Sequence, residues 1–109
     1  MDEILELARQ LGAKIATHER FKEFKEAQKA VEEDEEAQRL TEQLKVQSEK
    51  IQQLERDLQP VEPEDKRELK RIQDAIASNA VLKRFARAQA DYAELMARVN
   101  EAIQSALRG

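Results

Sequence analysis

Residues 37–58 read AQRLTEQLKVQSEKIQQLERDL, and this stretch decides the predicted fold. Apolar side chains recur three and four positions apart through it, at Ala37, Leu40, Leu44, Ile51, Leu54 and Leu58. This spacing places them on one face of an α-helix and is typical of a coiled-coil seam. Gln47 occupies the one polar position in the row. A glutamine there either pairs across an interface and fixes its register or lies at a solvated edge, and the spacing does not distinguish the two.

The residues before this helix carry a second apolar stripe. Ile4, Leu7, Leu11 and Ile15 follow the same spacing and predict an N-terminal amphipathic helix. Gly12 falls inside this pattern, where a glycine costs about 1 kcal/mol relative to alanine. No turn signal accompanies it, so we expect Gly12 to allow close packing against another helix.

Local signals divide the chain into helices. Thr17 indicates a cap or kink, and Asp34 is expected to cap the helix that contains the coiled-coil stripe. Pro60 is expected to end that helix, and Pro63 suits the first turn of the next one. Ser78-Asn79 offers a cap for a long final helix, whose predicted apolar stripe runs from Val81 to Leu107 and includes Phe85 and Tyr92.

The composition agrees with an all-helical chain, since 39% of the 109 residues are charged and only 2 Gly and 2 Pro are present. The third and fifth helices would span roughly 37 and 45 Å, against about 34 Å for a compact globule of this length. We therefore predict a single all-α domain over residues 1–109, an elongated antiparallel bundle of about five helices, two of them long. Apolar seams left exposed by that shape predict self-association, most simply a homodimer. The residues predicted to form the core or the oligomer seam are Leu40, Leu44, Gln47, Ile51, Leu54, Leu58, Phe85 and Tyr92.

The residue inventory argues against catalysis and against bound cofactors. The chain has no Cys and one His, His18, whose position between two predicted helices indicates a surface or capping role. The apolar stripes carry no acidic residues, so a carboxylate metal site is not expected. No apolar run approaches the roughly 20 residues of a membrane span, and the N-terminus lacks the pattern of a secretory signal. We expect a cytoplasmic protein.

A basic cluster, Lys83, Arg84 and Arg87, has two interpretations. It is either a patch for RNA or an acidic partner, or a solvated helix face balanced by acidic residues elsewhere. The formal net charge of −4 lacks the basic footprint of a dedicated nucleic-acid binder, which favours the solvated face.

The order of these features resembles the YlbF/YmcA family of small bacterial helical proteins. The similarity covers the Phe21-Lys22-Glu23-Phe24 segment, the cap at Asp34 and the Gln-rich helix with Gln43, Gln47, Gln52 and Gln53. It continues through the proline break into residues 79–85, Asn-Ala-Val-Leu-Lys-Arg-Phe, where the family typically has Asn-Pro.

The resemblance implies an all-α, homodimeric protein without enzymatic activity. Better-known members are regulatory adaptors in a complex that influences competence, sporulation and biofilm formation and works with ribonuclease Y. The implied partners are family paralogues or the RNA-decay machinery. Those members use cysteines to hold iron–sulfur clusters, and this chain has none, so no cofactor is expected. Two alternatives remain: a holdase chaperone resembling prefoldin, and an RNA-binding module that uses Lys83, Arg84 and Arg87.

Overall fold

The computed structural model describes all 109 residues and contains five α-helices and no strand. The helices are α1 (Asp2–Ala16), α2 (Glu19–Glu33), α3 (Glu35–Arg56), α4 (Pro63–Ser78) and α5 (Ala80–Arg108). This confirms the predicted all-α fold class, the number of helices and the presence of two long ones, of 22 and 29 residues.

Residues at the predicted positions begin three of the helices, two of them through side-chain caps. The Asp34 carboxylate accepts a 2.8 Å hydrogen bond from the Ala37 amide, which satisfies one of the free N–H groups at the start of α3. The Asn79 side chain accepts from the Leu82 amide at 2.9 Å and does the same for α5. Pro63 is the first residue of α4, where its missing N–H removes no helical bond.

The junction between α1 and α2 also follows local chemistry. The Thr17 hydroxyl donates to the Lys14 carbonyl at 2.9 Å and closes the last turn of α1. The His18 Nδ1 accepts from the Arg20 amide at 3.0 Å and so caps the start of α2. His18 therefore acts as a helix cap at this junction.

The chain divides into two compact units, which we call the terminal unit (Met1–Lys29 with Phe85–Gly109) and the central unit (Ala30–Arg84). In the central unit, α3 packs against α4 as an antiparallel helical hairpin. Its buried apolar residues are Ala37, Leu40 and Ile72, and Ile72 is only 2% exposed. The centre of this unit is therefore small, and each large buried side chain in it contributes a large share of the packing.

In the terminal unit, α5 runs antiparallel to the first part of α2, and aromatic side chains join the two. Phe24 stacks on Phe85 and on Tyr92, with ring centroids 5.7 and 5.2 Å apart. Phe21 meets Tyr92 edge to face at 5.6 Å. These arrangements are the favourable ones for aromatic pairs. All the aromatic residues of the chain thus belong to this aromatic cluster.

The apolar stripe of α3 ends one turn earlier than the spacing predicts. α3 ends at Arg56, and Leu58 lies in the following turn with a φ of +56° and 92% of its side chain exposed. A left-handed residue at this point reverses the chain and takes Leu58 away from the stripe. Leu58 therefore does not contribute to the packing of α3 against α4.

Candidate protein-interaction surface

The apolar face of α1 is uncovered. α1 buries none of its residues, although its apolar pattern is as regular as that of α3. The exposed fractions are 67% for Ile4, 44% for Leu5, 59% for Leu7 and 37% for Leu11. We call these four side chains, with Ala8 and Gly12 between them, the α1 face.

The end of α5 is uncovered in the same way. Its stripe is buried at Ala88 and half-buried elsewhere as far as Val99, whereas every residue after Val99 is exposed. Ile103 and Leu107 continue the stripe and are 47% and 75% exposed. The terminal unit thus leaves apolar surface on two of its helices.

An uncovered amphipathic helix has a physical consequence. Helices of about 15 residues are marginal in water by themselves, because tertiary packing supplies most of their stability. Contiguous exposed apolar surface of this kind marks interaction sites in soluble proteins. The α1 face is therefore the strongest candidate for an interaction surface in the terminal unit.

The central unit has a shallow groove between α3 and α4, with a volume of about 240 Å³. It is smaller than the roughly 300–1,000 Å³ of typical small-molecule sites. Its lining consists of Glu42, Gln43, Val46, Gln47, Glu68 and Ile72. The Gln43 Oε1 atom is buried there without a hydrogen-bond partner, and Val46 is 55% exposed. The groove is thus smaller than a typical small-molecule site, although most of its lining residues are polar.

Gln47 lies between the two helices of this hairpin. Its Nε2 donates a 2.9 Å hydrogen bond to the backbone carbonyl of Asp65, and its side chain is buried. Of the two possibilities left by the spacing, the structure thus has Gln47 paired across an interface, the one between α3 and α4 of its own chain, and not at a solvated edge. The remaining members of the predicted seam on α3 are Leu40, which is buried, and Leu44, Ile51 and Leu54, which are half-buried.

An ion pair continues this polar connection. The Lys50 ammonium lies 2.8 Å from the Asp65 carboxylate, whose side chain is 11% exposed. The hydrogen bond from Lys50 lowers the pKa of Asp65, and partial burial of the carboxylate opposes this effect. The Glu62 amide donates to the same carboxylate at 3.2 Å and lowers the pKa further. The same hydrogen bond raises the pKa of Lys50. Asp65 thus caps α4 and ties its first turn to α3.

This arrangement predicts an acid-sensitive contribution to stability. Because the folded pKa of Asp65 is lower than the unfolded one, its contribution is complete above about pH 4 and decreases as the pH falls through the folded pKa. Asp65→Asn should remove the part of the acid dependence of stability that Asp65 contributes. Lys50→Met should remove most of the same part, because it takes away the cation that pairs with Asp65. The measurement is urea unfolding followed by circular dichroism at pH 7 and at pH values below 4. Equal acid dependence in the wild type and both variants would contradict the assignment.

The three basic residues predicted as a possible partner patch are exposed. Lys83, Arg84 and Arg87 all lie on the exposed surface of α5. On α4, by contrast, Lys70 pairs with Asp74 at 2.9 Å and Arg71 pairs with Glu68 at 2.6 Å. Lys70 and Arg71 therefore belong to a balanced, solvated helix face.

One long-range contact could not be found by sequence reasoning. Arg20 Nη1 donates to the Asp91 carbonyl at 3.2 Å and lies 3.6 Å from Glu94 Oε1, within the terminal unit. It thereby holds the start of α2 against α5 beside the aromatic cluster, to which Phe85 and Tyr92 contribute. No spacing rule relates residues about 70 positions apart, so only the fold identifies this pairing.

No group of three or more His, Asp or Glu side chains is placed to hold a metal ion. None of the five helices combines the length and the apolar character that crossing a membrane requires.

Comparison with known proteins places the whole chain in one family. No curated protein matches it in sequence. The crystal structure of Bacillus subtilis RicA in complex with RicF matches it with a TM-score of 0.87 and 23% identity, over 97% of this chain and 94% of that one. This similarity establishes a shared fold. The family model described as control of competence regulator ComK, YlbF/YmcA, matches residues 4–108. Since that match spans nearly the entire chain, the protein belongs to the YlbF/YmcA family.

Proposed function

We propose that this protein is a non-enzymatic regulatory adaptor that acts through protein contacts and self-association. The observation that carries the proposal is the α1 face, because an apolar helix surface that its own chain leaves exposed is typical of a protein-interaction site. Membership of the YlbF/YmcA family supports a regulatory role. The RicA structure supports protein partners, since it is a complex with a second protein, RicF.

The other features of the molecule agree with an adaptor. Polar side chains of the central unit serve helix capping and packing, as Gln47, Lys50 and Asp65 illustrate. A prefoldin-like holdase is disfavoured because the chain contains no strand to form the β-hairpins through which prefoldin subunits assemble. Family paralogues and the RNA-decay machinery are the partners we propose.

A tagged pull-down from the native host with two matched variants tests the proposal. Ile4→Glu places a charge on the α1 face, whereas Ala13→Glu places the same charge on the opposite side of α1, where it is exposed. Neither residue is buried, so both variants should fold. We expect the wild type and Ala13→Glu to recover a paralogue or RNA-decay proteins, and Ile4→Glu to lose them at least tenfold.

Other outcomes would overturn this assignment. Equal recovery by both variants would show that the α1 face is not the contact surface. A broad set of unrelated non-native chains would indicate a holdase. RNA that binds at 50 mM salt and is lost by 200 mM would indicate a phosphate-binding module, for which Lys83, Arg84 and Arg87 are the first residues to replace.

A further inference from the structure

The groove between α3 and α4 contains an unsatisfied hydrogen-bond acceptor. The Gln43 Oε1 atom is buried, and no donor of the chain lies within hydrogen-bond distance of it. The next glutamine on this side of α3, Gln47, directs its amide to the Asp65 carbonyl and not to Gln43. A buried acceptor without a partner costs free energy, and native proteins keep few of them. The contacts inside the chain therefore do not explain the polar side chain of Gln43, and a donor from outside would remove the cost.

Two carboxylates line the same groove, and only one of them is neutralised. Glu68 on α4 is held by Arg71, which donates to its two oxygens at 3.0 and 2.6 Å. Glu42 on α3 is exposed and forms none of the ion pairs of the chain. The uncompensated charge of the groove is therefore negative, and a group that is complementary to it carries a positive charge.

The rest of the groove is apolar and has the size of a side chain. Ile72 forms its floor and is 2% exposed, while Val46 lies at its edge and is 55% exposed. The volume of about 240 Å³ is below that of the sites that enclose small molecules. The space thus suits one long side chain of a partner whose remaining surface covers Val46. Anchor residues insert into pockets in this way at protein interfaces.

Arginine matches these groups better than lysine does. The planar guanidinium carries five N–H donors, so it can pair with the Glu42 carboxylate through two of them and donate another to Gln43 Oε1. The Gln43 side chain is half-buried as a whole, and a rotation of its amide would bring the oxygen to the groove. The methylene groups of the arginine would lie against Val46 and Ile72, as the stems of long cationic side chains do on apolar surfaces.

We propose that the groove formed by Glu42, Gln43, Val46 and Ile72 is a docking site for an arginine side chain of a partner protein. The guanidinium pairs with Glu42 and donates to Gln43, and the partner surface around the arginine covers Val46. This inference rests on the proposed adaptor function, because it assigns the arginine to a protein. It adds a contact surface in the central unit to the α1 face of the terminal unit.

Binding of a single capped arginine tests the site directly. The probe is Nα-acetyl-arginine amide, titrated into the full-length protein and followed by proton–nitrogen correlation NMR at the Gln43 side-chain amide and the Val46 backbone amide. We expect saturable shifts at both groups with a Kd of about 1–10 mM, because the probe lacks the rest of the interface. Nα-acetyl-citrulline amide has nearly the same shape without the charge and should bind at least about tenfold more weakly.

Two variants and a matched control locate the contact. Glu42→Gln removes the uncompensated charge and should raise the Kd of the arginine probe at least about fivefold. Glu49→Gln removes the same charge from an exposed position of α3 outside the groove and should leave the Kd within about twofold. Gln43→Leu should raise the Kd about fivefold while keeping or raising the midpoint temperature of unfolding, because it removes an unpaired buried oxygen. A purely structural role of Gln43 would lower the midpoint temperature instead.

The outcomes separate this inference from the adaptor function. Equal shifts from the arginine and citrulline probes, or no shifts at Gln43 and Val46, would overturn the arginine site. The adaptor would stand in that case if the pull-down still recovers a paralogue. Tighter binding of Nα-acetyl-lysine amide than of the arginine probe would indicate a site for a point charge and would also overturn the inference.

Two further outcomes concern the source of the guanidinium. Agmatine that binds at least about tenfold more tightly than the arginine probe would make a free guanidine metabolite the ligand and overturn the protein source. Binding of the probe by a chain that recovers no protein in the pull-down would contradict the adaptor function and, with it, the assignment of the arginine to a partner protein.

Discussion

Replacing Ile72 with alanine should lower the free energy of unfolding by about 3 kcal/mol. Ile72 is only 2% exposed and is the largest fully buried side chain of the protein. The substitution loses the free energy gained by burying the isoleucine side chain and leaves a cavity between α4 and α3. These two helices form the only extensive helix pair of the central unit. Thermal and urea unfolding followed by circular dichroism would measure the loss, and we expect the midpoint temperature to fall by at least about 10 °C.

Val46→Ala is the matched control for this measurement. Val46 lies on α3 beside the same groove but is 55% exposed, so truncation there should cost less than about 1 kcal/mol. Comparable losses in the two variants would mean that Ile72 is not central to the packing of the hairpin. A large loss in Val46→Ala alone would mean that another chain covers the groove.

Replacing Phe24 with alanine should have the second-largest effect, about 2–3 kcal/mol. The Phe24 ring stacks on both Phe85 and Tyr92, so it makes two of the aromatic contacts between α2 and α5 in the terminal unit. The cost is smaller than for a fully buried phenylalanine because Phe24 remains half-exposed. Phe24→Leu keeps most of the apolar contact and should lose less than half as much.

A double-mutant cycle tests whether the stacking itself contributes. Phe24→Ala and Tyr92→Ala together should destabilise by about 0.5–1.5 kcal/mol less than the sum of the single losses, because the two rings interact directly. Additive losses would show that the rings stabilise the unit by burial alone. Leu5→Ala serves as a control in dilute solution, where its 44% exposed side chain should contribute little.

The proposed adaptor role and the stability of the chain are connected through α1. In the isolated chain α1 has no buried residue, so its helix should form and dissociate more readily than α3 or α4. Packing against a second protein would supply the tertiary contacts that α1 lacks. Hydrogen exchange of the α1 amides should therefore slow when the α1 face is occupied, while exchange in α3 changes little.

Helix boundaries were predictable because their causes are local. Asp34 caps α3 through an amide three residues away, and Asn79 does the same for α5. Pro63 begins α4 because its ring suits only the first turn of a helix. The exception is the end of α3, which was expected at Pro60 and falls at Arg56. The left-handed turn residue Leu58 ends the helix there, although the 3-4 spacing of apolar residues continues through it.

The pairing of the helices was decided by tertiary structure. Gln47 finds its partner in the backbone of Asp65, 18 residues further along the chain, so the spacing left its role open. Phe24 meets Phe85 and Tyr92 across more than 60 residues, a separation that no periodicity encodes.

The sequence by itself determined an all-helical chain, the positions at which α3, α4 and α5 begin, and most of the apolar face of each helix. These properties depend on interactions within one or two helical turns, which the order of residues specifies directly. Only the tertiary structure decided that the stripe of α3 is covered by α4 whereas the equally regular stripe of α1 is left exposed. A periodic pattern indicates that one face of a helix is apolar. Which other surface covers that face depends on how distant segments of the chain are arranged.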